Sequence, residues 1–142
     1  MLLIMVAIHF VMMFGLMYSM VNTAGDIHPH LNQVYMAASM TAPMALLELW
    51  LMRSMYRDRQ LNMLVIATGV VVLVLSLAAI RQQSGIGDRQ FLKSMIPHHS
   101  GAILMCREAR IADAEIRELC QSIMEGQQRE IDQMRAILQR MD

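Results

Sequence analysis

The chain has 142 residues, of which 56% are hydrophobic, and its 12 Lys and Arg balance 12 Asp and Glu. That length leaves room for one domain or a short membrane bundle with an appendage, and the neutral balance lacks the basic excess of a nucleic-acid-binding protein. Met fills 17 positions, more than Gly and Pro together. Thioethers fill irregular cores, but they are also soft ligands for Cu(I) and Ag(I).

Three apolar stretches occupy the first 80 residues, at 1–21, 31–52 and 61–80. About 20 apolar residues suffice for a helix that crosses a bilayer. The first stretch has no Lys or Arg at its start and no cleavage-site pattern after it, so we expect a retained helix and not a signal peptide. Residues 1–80 are therefore predicted to form a membrane region with three helices, and the lipid bilayer is a predicted partner.

Loop charges predict the orientation of these spans. The second loop carries Arg53, Arg57 and Arg59, whereas the first loop, residues 22–30, has no Lys or Arg. Lys and Arg near the ends of spans are biased to the cytoplasm. We therefore expect a cytoplasmic N-terminus, with the first loop and residues 81–142 on the far side. In a bacterial inner membrane that side is the periplasm.

Residues 81–87 have the Gly and Ser content of a flexible linker, and residues 88–142 predict two helices. Asp88 is a candidate N-cap for the first helix, Pro97 predicts a kink or a restart within it, and Asp113 can cap the second. The second helix has one apolar stripe, made of Ile116, Leu119, Cys120, Ile123, Ile131, Met134 and Leu138. We expect an antiparallel hairpin in which positions equally far from the turn face each other.

One face of this hairpin combines sulfur and nitrogen ligands. Met95, His98 and Met105 lie at helical spacing, and His99 is one residue around the helix. The second helix brings three supporting candidates opposite this region, namely Gln127, Glu130 and Met134. Imidazoles with thioethers suit Cu(I) and, with imidazole in excess, Cu(II), and polar neighbours can orient the ring N–H groups. The structural alternative is that the His pair caps a helix start while the Met residues fill a thin core.

The residues from Asp88 to Met134, with the core FLKSMIPHHSGAILM and a later Q-x-x-E-I-x-x-M, resemble the domain-of-unknown-function 305 family. Members of that family are helical, ferritin-like small domains, often secreted or membrane-anchored, and some are implicated in periplasmic copper binding and resistance. The resemblance covers about the last 55 residues. It implies a ferritin-like fold and copper as the bound metal, with candidate ligands Met95, His98, His99 and Met105.

Cys106 and Cys120 are equally far from the predicted turn. They would form a disulfide in an oxidising compartment, remain two buried thiols, or act as a thiolate pair for Cu(I). The sequence leaves these three alternatives open.

Additional metal candidates lie in the first 80 residues, namely His9, His28, His30, Met36, Met40, Met44 and Glu48. The four on the second span follow one another at helical i, i+4 spacing. An ionisable side chain inside a membrane is costly unless it is paired, so Glu48 is a candidate site that either His9 or an assembly contact would satisfy. For the Met residues alone, a packing seam between helices is the alternative.

We therefore expect an all-α protein with three transmembrane helices and a ferritin-like two-helix hairpin. So short a hairpin buries little surface, which predicts completion of a bundle by homo-oligomerisation. No catalytic motif or di-iron carboxylate pattern stands in the sequence, so we expect no enzyme. The predicted function is membrane-anchored binding of copper or silver for metal handling or resistance. The alternatives are a structural assembly module without metal and a Cu(I) transport component that uses the intramembrane Met stripes.

Overall fold

The computed structural model describes residues 2–141, and within that range all regular elements are helical. The α-helices in chain order are α1 (Leu2–Leu16), α2 (Leu31–Leu51), α3 (Arg59–Gln82), α4 (Asp88–Glu108) and α5 (Ala114–Arg140). Two 3-10 turns, Met17–Met20 and Ala24–Asp26, lie between α1 and α2. The predicted all-α class is confirmed.

Three helical segments are long and apolar enough to cross a membrane, by length and composition: Leu2–Met20, Leu31–Leu51 and Arg59–Gln82. The predicted spans agree with them to within two residues at each end. The third begins earlier than predicted because Asp58 caps it. The Asp58 carboxylate accepts hydrogen bonds from the backbone N–H groups of Gln60 and Leu61, both at 3.0 Å, which satisfies two amides that a helix start leaves unpaired.

The chain divides into two compact units. Residues 1–17 and 32–85 form the first, which carries the three apolar helices and is called the membrane unit below. Residues 18–31 and 86–142 form the second, called the hairpin unit. The first loop therefore belongs with α4 and α5, although its sequence predicted only a polar connection between two spans.

Small side chains dominate the buried face of α2 in the membrane unit. That face consists of Gln33, Ala37, Thr41, Ala42, Ala45 and Leu49. Small residues let helix backbones approach closely. On α3 the contact is close as well, because a Cβ on Gly69 would meet Cδ2 at the end of the flexible Leu46 side chain at 3.0 Å. The Gln33 side-chain amide donates to the carbonyl of Phe14 at 2.6 Å and so satisfies a backbone acceptor in the last turn of α1.

The α4–α5 hairpin is an antiparallel pair with a coiled-coil-like seam. Seam positions on α4 alternate in steps of four and three residues, at Leu92, Ile96, His99, Ile103 and Cys106. Those on α5 do the same, at Cys120, Met124, Gln127, Ile131, Met134 and Leu138. Such spacing keeps one stripe of each helix facing its partner. The buried core consists of five apolar seam residues, namely Leu92, Ile96, Ile103, Ile131 and Leu138. His99 is the seam residue between Ile96 and Ile103, so its ring lies within this core.

The sequence made three local predictions about α4 and α5, of which the two on α4 need correction and the one on α5 is confirmed. Gly87 is the N-cap of α4 and Asp88 its first residue, so the predicted cap is wrong by one position. Of the two alternatives predicted at Pro97, a kink or a restart, the restart is wrong because α4 is helical across it. Pro97 removes one backbone hydrogen bond, but the fully buried Ile96 and Ser100 hold the chain in register on both sides. Asp113 caps α5 as predicted, accepting from the Ile116 N–H at 3.0 Å.

The apolar stripe of α5 is buried only in part. Ile131 and Leu138 lie in the core, and Met134 packs against it. Ile116 and Leu119, at the start of the helix, are exposed. The first turns of α5 therefore keep exposed apolar surface.

The first loop attaches to the hairpin through a buried carboxylate. Asp26 is 3% exposed and forms an ion pair with Arg135. It also accepts hydrogen bonds from the hydroxyls of Ser100 at 2.6 Å and Thr23 at 2.8 Å. A carboxylate so far from water is stable only when its oxygens are satisfied in this way. We call Thr23, Asp26, Ser100 and Arg135 the Asp26 cluster.

Ser100 and Gly101 both have structural roles at this attachment. The Ser100 hydroxyl oxygen accepts the backbone N–H of Asn22 at 2.7 Å. A Cβ on Gly101 would meet the carbonyl oxygen of Met20 at 3.2 Å, so glycine favours this close approach of the backbone before the first loop to α4. The Ser-Gly pair after the two His residues therefore docks the first loop.

Candidate metal centre

His99 is the best-defined side chain of the predicted site. It is buried in the seam, with Nδ1 at 2.9 Å from the Met95 carbonyl oxygen and Nε2 at 2.7 Å from Glu130 Oε2. A neutral ring that donates Nδ1–H to the carbonyl keeps its lone pair on Nε2, and it then makes a hydrogen bond with Glu130 only when that carboxyl is protonated. A backbone acceptor at one ring nitrogen is the usual way in which proteins orient a metal-binding imidazole. In the doubly protonated ring, both nitrogens donate instead.

His98 extends this position to the surface. It is exposed, and its ring centroid lies 6.0 Å from that of His99. Adjacent residues on a helix point about 100° apart, so this separation means that both rings lean to the same side of α4. Two imidazoles that share one ion need such an approach. The structure therefore brings the predicted His pair together.

Thioethers flank the His pair on both helices. Glu130 on α5 faces His99 on α4. Met134 lies one helical turn after Glu130, and Met95 lies one helical turn before His99. The register that pairs His99 with Glu130 therefore also aligns Met95 with Met134. Both Met residues are half-buried. We call Met95, His98, His99, Glu130 and Met134 the mid-hairpin cluster, which offers imidazole, thioether and carboxylate donors.

Met105 does not belong to this cluster. It lies ten residues beyond Met95 on one continuous helix, which corresponds to about 15 Å along the axis. Side chains on a helix all lean toward its N-terminus, so this separation persists at the sulfur atoms. The predicted set of Met95, His98, His99 and Met105 therefore cannot surround a single ion. The correction follows from the unbroken passage of α4 through Pro97.

Gln127 is a seam residue of α5, three residues before Glu130. Its side chain is half-buried, and its Oε1 has no hydrogen-bond partner among residues 2–141. No group of three or more His, Cys, Asp or Glu that could hold a metal occurs in that range either. An ion at the mid-hairpin cluster would accordingly depend on the thioethers as well as on the imidazoles.

The two cysteines form a disulfide, with Cα atoms 5.3 Å apart. This confirms the predicted register, since Cys106 and Cys120 are equally far from the turn. It also decides among the three alternatives for the pair. Both sulfurs are used in the bond, so the oxidised hairpin has no thiolate to offer a metal.

A family model described as "Domain of unknown function (DUF305)" matches residues 32–138. The chain belongs to this family. The match includes α2 and α3, so it is longer than the C-terminal resemblance on which the prediction rested. An uncharacterized protein of Acanthamoeba polyphaga mimivirus is 38% identical over 119 residues, which cover 82% of this chain and 76% of the viral protein. No solved structure matches the chain.

His28 and His30 of this DUF305 protein lie apart from the mid-hairpin cluster, in the first loop of the hairpin unit. Burial lowers the pKa of His28, and the cations Arg135 and Lys93 lower it further, while Asp26 opposes them. Burial and the neighbouring His28 lower the pKa of His30. Both rings are thus neutral near pH 7. A metal-binding role for His28 and His30 stays a prediction.

The intramembrane candidates are not brought together. Met36, Met40 and Met44 are exposed along one side of α2. Glu48 is half-buried, and its Oε1 has no hydrogen-bond partner in the described part of the chain. No ion pair joins Glu48 to His9 there, so the predicted pairing is not formed. The Met stripe is therefore not a packing seam within the membrane unit.

The Asp26 cluster was missed by sequence reasoning. Asp26 lies in a polar loop, where an acidic residue carries no signal of its own. Its partners Ser100 and Arg135 are 74 and 109 residues away in the chain. The one available clue was the Ser-Gly pair after the His residues, since a glycine inside a helix is costly unless close packing requires it.

Proposed function

We propose that this DUF305 protein is a membrane-anchored binding protein for copper or silver, with the mid-hairpin cluster as its ion site. The observation that carries the proposal is the His99 ring, oriented by a backbone carbonyl at Nδ1 and facing a carboxylate at Nε2. Imidazole with thioether ligands favours Cu(I) and Ag(I), whereas imidazole with carboxylate accepts Cu(II). The exposed His98 leaves the site open to exchange, which suits metal handling or resistance better than permanent storage.

Binding should compete with protons. A metal takes the Nε2 lone pair of His99, and the ring must then be neutral. Copper affinity is therefore expected to fall as the pH is lowered.

The proposed location is a membrane with the N-terminus in the cytoplasm and the hairpin unit on the far side, which is the periplasm for a bacterial inner membrane. Arg53, Arg57 and Arg59 near the start of α3 support this orientation, since positive loops stay in the cytoplasm. The disulfide supports it too, because such bonds persist in oxidising compartments. A C-terminal reporter that is active only in the cytoplasm should stay silent, and activity from it would disprove the orientation.

We further propose that the protein is a homo-oligomer. Met105, Ile116 and Leu119 are exposed apolar side chains near the turn of the hairpin. A second hairpin that covers them would complete a four-helix bundle. Light scattering of the protein in detergent tests this, with a dimer or larger species expected and a monomer contradicting it.

The decisive experiment is metal titration of the full chain in detergent with the disulfide intact. Cu(I), Ag(I), Cu(II) and Zn(II) are titrated in turn against a competing chelator. Wild type should bind one Cu(I) per chain, and His98→Ala combined with His99→Ala should abolish binding. His9→Ala, on α1, is the matched control and should bind as wild type does. Undiminished binding in the double variant would sink the site.

The thioethers are tested separately. Met95→Leu and Met134→Leu keep the side-chain volume but remove sulfur. Loss of a residue that only hydrogen-bonds a metal ligand weakens metal affinity by about tenfold or more. Loss of a ligand itself should have at least this effect, so each substitution should weaken Cu(I) binding by about tenfold or more. Met105→Leu should leave the affinity unchanged. An equal loss in all three variants would return Met105 to the site.

A second candidate function is favoured by one observation in the membrane unit. Met36, Met40 and Met44 are exposed on the side of α2 that also carries Glu48, whose Oε1 lacks a partner. This face could serve membrane assembly or a path for Cu(I). Met40→Leu with Met44→Leu should then reduce copper transport into vesicles while leaving binding by the hairpin intact. Unchanged transport would leave only the binding function.

A further inference from the structure

We propose that reduction of the Cys106–Cys120 disulfide opens a second Cu(I) site, with Met124 as its third sulfur ligand. A cavity of about 450 Å³ beside the turn of the hairpin is lined by both cysteines and by Met124. This site is distinct from the mid-hairpin cluster, since Cys106 lies seven residues beyond His99, or about 10 Å along α4. It therefore does not depend on the proposed function of that cluster.

The backbone already holds the three sulfur-bearing residues at chelating positions. The Cα atoms of Cys106 and Cys120 are 5.3 Å apart, and Met124 follows Cys120 by one helical turn on the seam of α5. Two sulfurs at about 2.3 Å from one ion, in a trigonal arrangement, stand about 4 Å from each other. Side-chain rotation after cleavage of the S–S bond supplies that separation without moving the helices.

The chemistry balances with a dithiol as the reductant. The dithiol gives two electrons and two protons to the disulfide, is itself oxidised to a disulfide, and leaves two thiols at Cys106 and Cys120. Cu(I) then binds both sulfurs as thiolates and displaces their two protons, while its own oxidation state stays the same. Met124 adds a neutral thioether. Soft sulfur donors of this kind select Cu(I).

One charged side chain at the cavity favours the reduced, metal-bound form. Two thiolates and one Cu(I) carry a net charge of minus one, and Arg117 lines the same cavity. Its guanidinium stabilises negative charge on the sulfurs. The disulfide thus conceals a soft site that becomes available when the hairpin meets a reducing partner.

The test uses the full chain in detergent with His98→Ala and His99→Ala, which removes the mid-hairpin site. The protein is reduced with a phosphine, desalted under anaerobic conditions and titrated with Cu(I) against a chromogenic chelator. The reduced protein should bind one Cu(I) per chain that the oxidised protein does not bind. Failure here leaves the mid-hairpin proposal untouched, because that site is tested on the oxidised protein with both His residues present.

Further variants in that background decide the ligands. Cys106→Ser with Cys120→Ser should bind no Cu(I) under either condition. Met124→Leu should weaken binding by the reduced protein by about tenfold or more. Met105→Leu, beside Cys106 but outside the cavity, should match its parent. Equal binding by oxidised and reduced protein would overturn the proposal, and an unchanged affinity in Met124→Leu would overturn the three-sulfur site.

Discussion

Asp26 in the hairpin unit is buried and Glu48 in the membrane unit is half-buried, and these two carboxylates differ in their partners. Asp26 has an arginine and two hydroxyls around it. Glu48 has an oxygen with no partner within residues 2–141. A buried polar atom without a hydrogen bond is costly, and more so in lipid than at a protein surface.

Asp26 has a structural role with all its partners present, whereas Glu48 has an oxygen without a hydrogen bond within the described range. The hairpin unit satisfies its buried carboxylate from its own chain, so Asp26 needs no ligand to explain it. The membrane unit leaves Glu48 beside an exposed Met stripe, and Thr41 Oγ1 on the same helix also lacks a hydrogen bond within the described range. Two polar atoms of α2 therefore have no hydrogen bond within the described range, whereas the Asp26 oxygens are satisfied.

The largest effect is expected from Asp26→Ala. The substitution leaves Arg135 without its ion pair and Ser100 without its acceptor. Breaking a buried pair by removing one partner costs about 3–5 kcal/mol, and Arg135 is 37% exposed, so we expect the low end of about 3 kcal/mol. Hydrogen exchange of α4 and α5 amides in detergent measures this loss. Glu118→Gln, an exposed acid on α5, should stay within about 0.5 kcal/mol of wild type.

A smaller change in the free energy of unfolding is expected from two glycine-to-alanine substitutions. Its sign should differ between Gly126 and Gly101, which tests whether the backbone near the first loop lies against α4. Gly126→Ala on α5 meets open space and should stabilise by about 0.5–1 kcal/mol through helix propensity. Gly101→Ala gains the same propensity but presses against the Met20 carbonyl oxygen, so a net loss of about 1 kcal/mol is expected. Denaturant unfolding monitored by circular dichroism compares them. Stabilisation by both substitutions would mean that the loop does not lie against α4.

A still smaller effect concerns pH. The pKa values of His28 and His30 are lowered in the folded chain, so the unfolded state binds protons first as the pH falls. Stability from these residues is complete above about pH 6.5 and is lost as the pH falls below that value. Because both rings are only half-buried, we expect a loss of less than about 1 kcal/mol. His28→Gln with His30→Gln should flatten the profile between about pH 7 and 5. An identical slope would contradict the assignment.

The smallest effect is expected from Glu48→Gln in the monomer. Since Glu48 Oε1 has no hydrogen bond to lose, the amide should change stability by less than about 0.5 kcal/mol or improve it. Thermal unfolding in dilute detergent measures the change. A loss as large as that of Asp26→Ala would show that Glu48 already has a strong partner, and the contrast between the two acids would then disappear.

The local elements were predictable because their signals are local. Uninterrupted apolar runs predicted the three spans, Asp113 predicted the start of α5, and the equal spacing of Cys106 and Cys120 from the turn predicted their contact. The continuity of α4 through Pro97 was not predictable, since packing of Ile96 and Ser100 outweighs the lost hydrogen bond. Because α4 is continuous, Met105 lies about 15 Å along the helix axis from Met95.

The sequence by itself determined which residues are helical, which are apolar enough for a membrane, and that the His pair and several thioethers share the hairpin. Only the tertiary structure decided that the first loop belongs to the hairpin unit and that His99, buried in the seam, has Glu130 at its Nε2. The physical reason is the distance along the chain between interacting residues. Helix formation depends on neighbours three or four residues apart, whereas a buried carboxylate finds its partners 74 and 109 residues away, where no sequence periodicity links them.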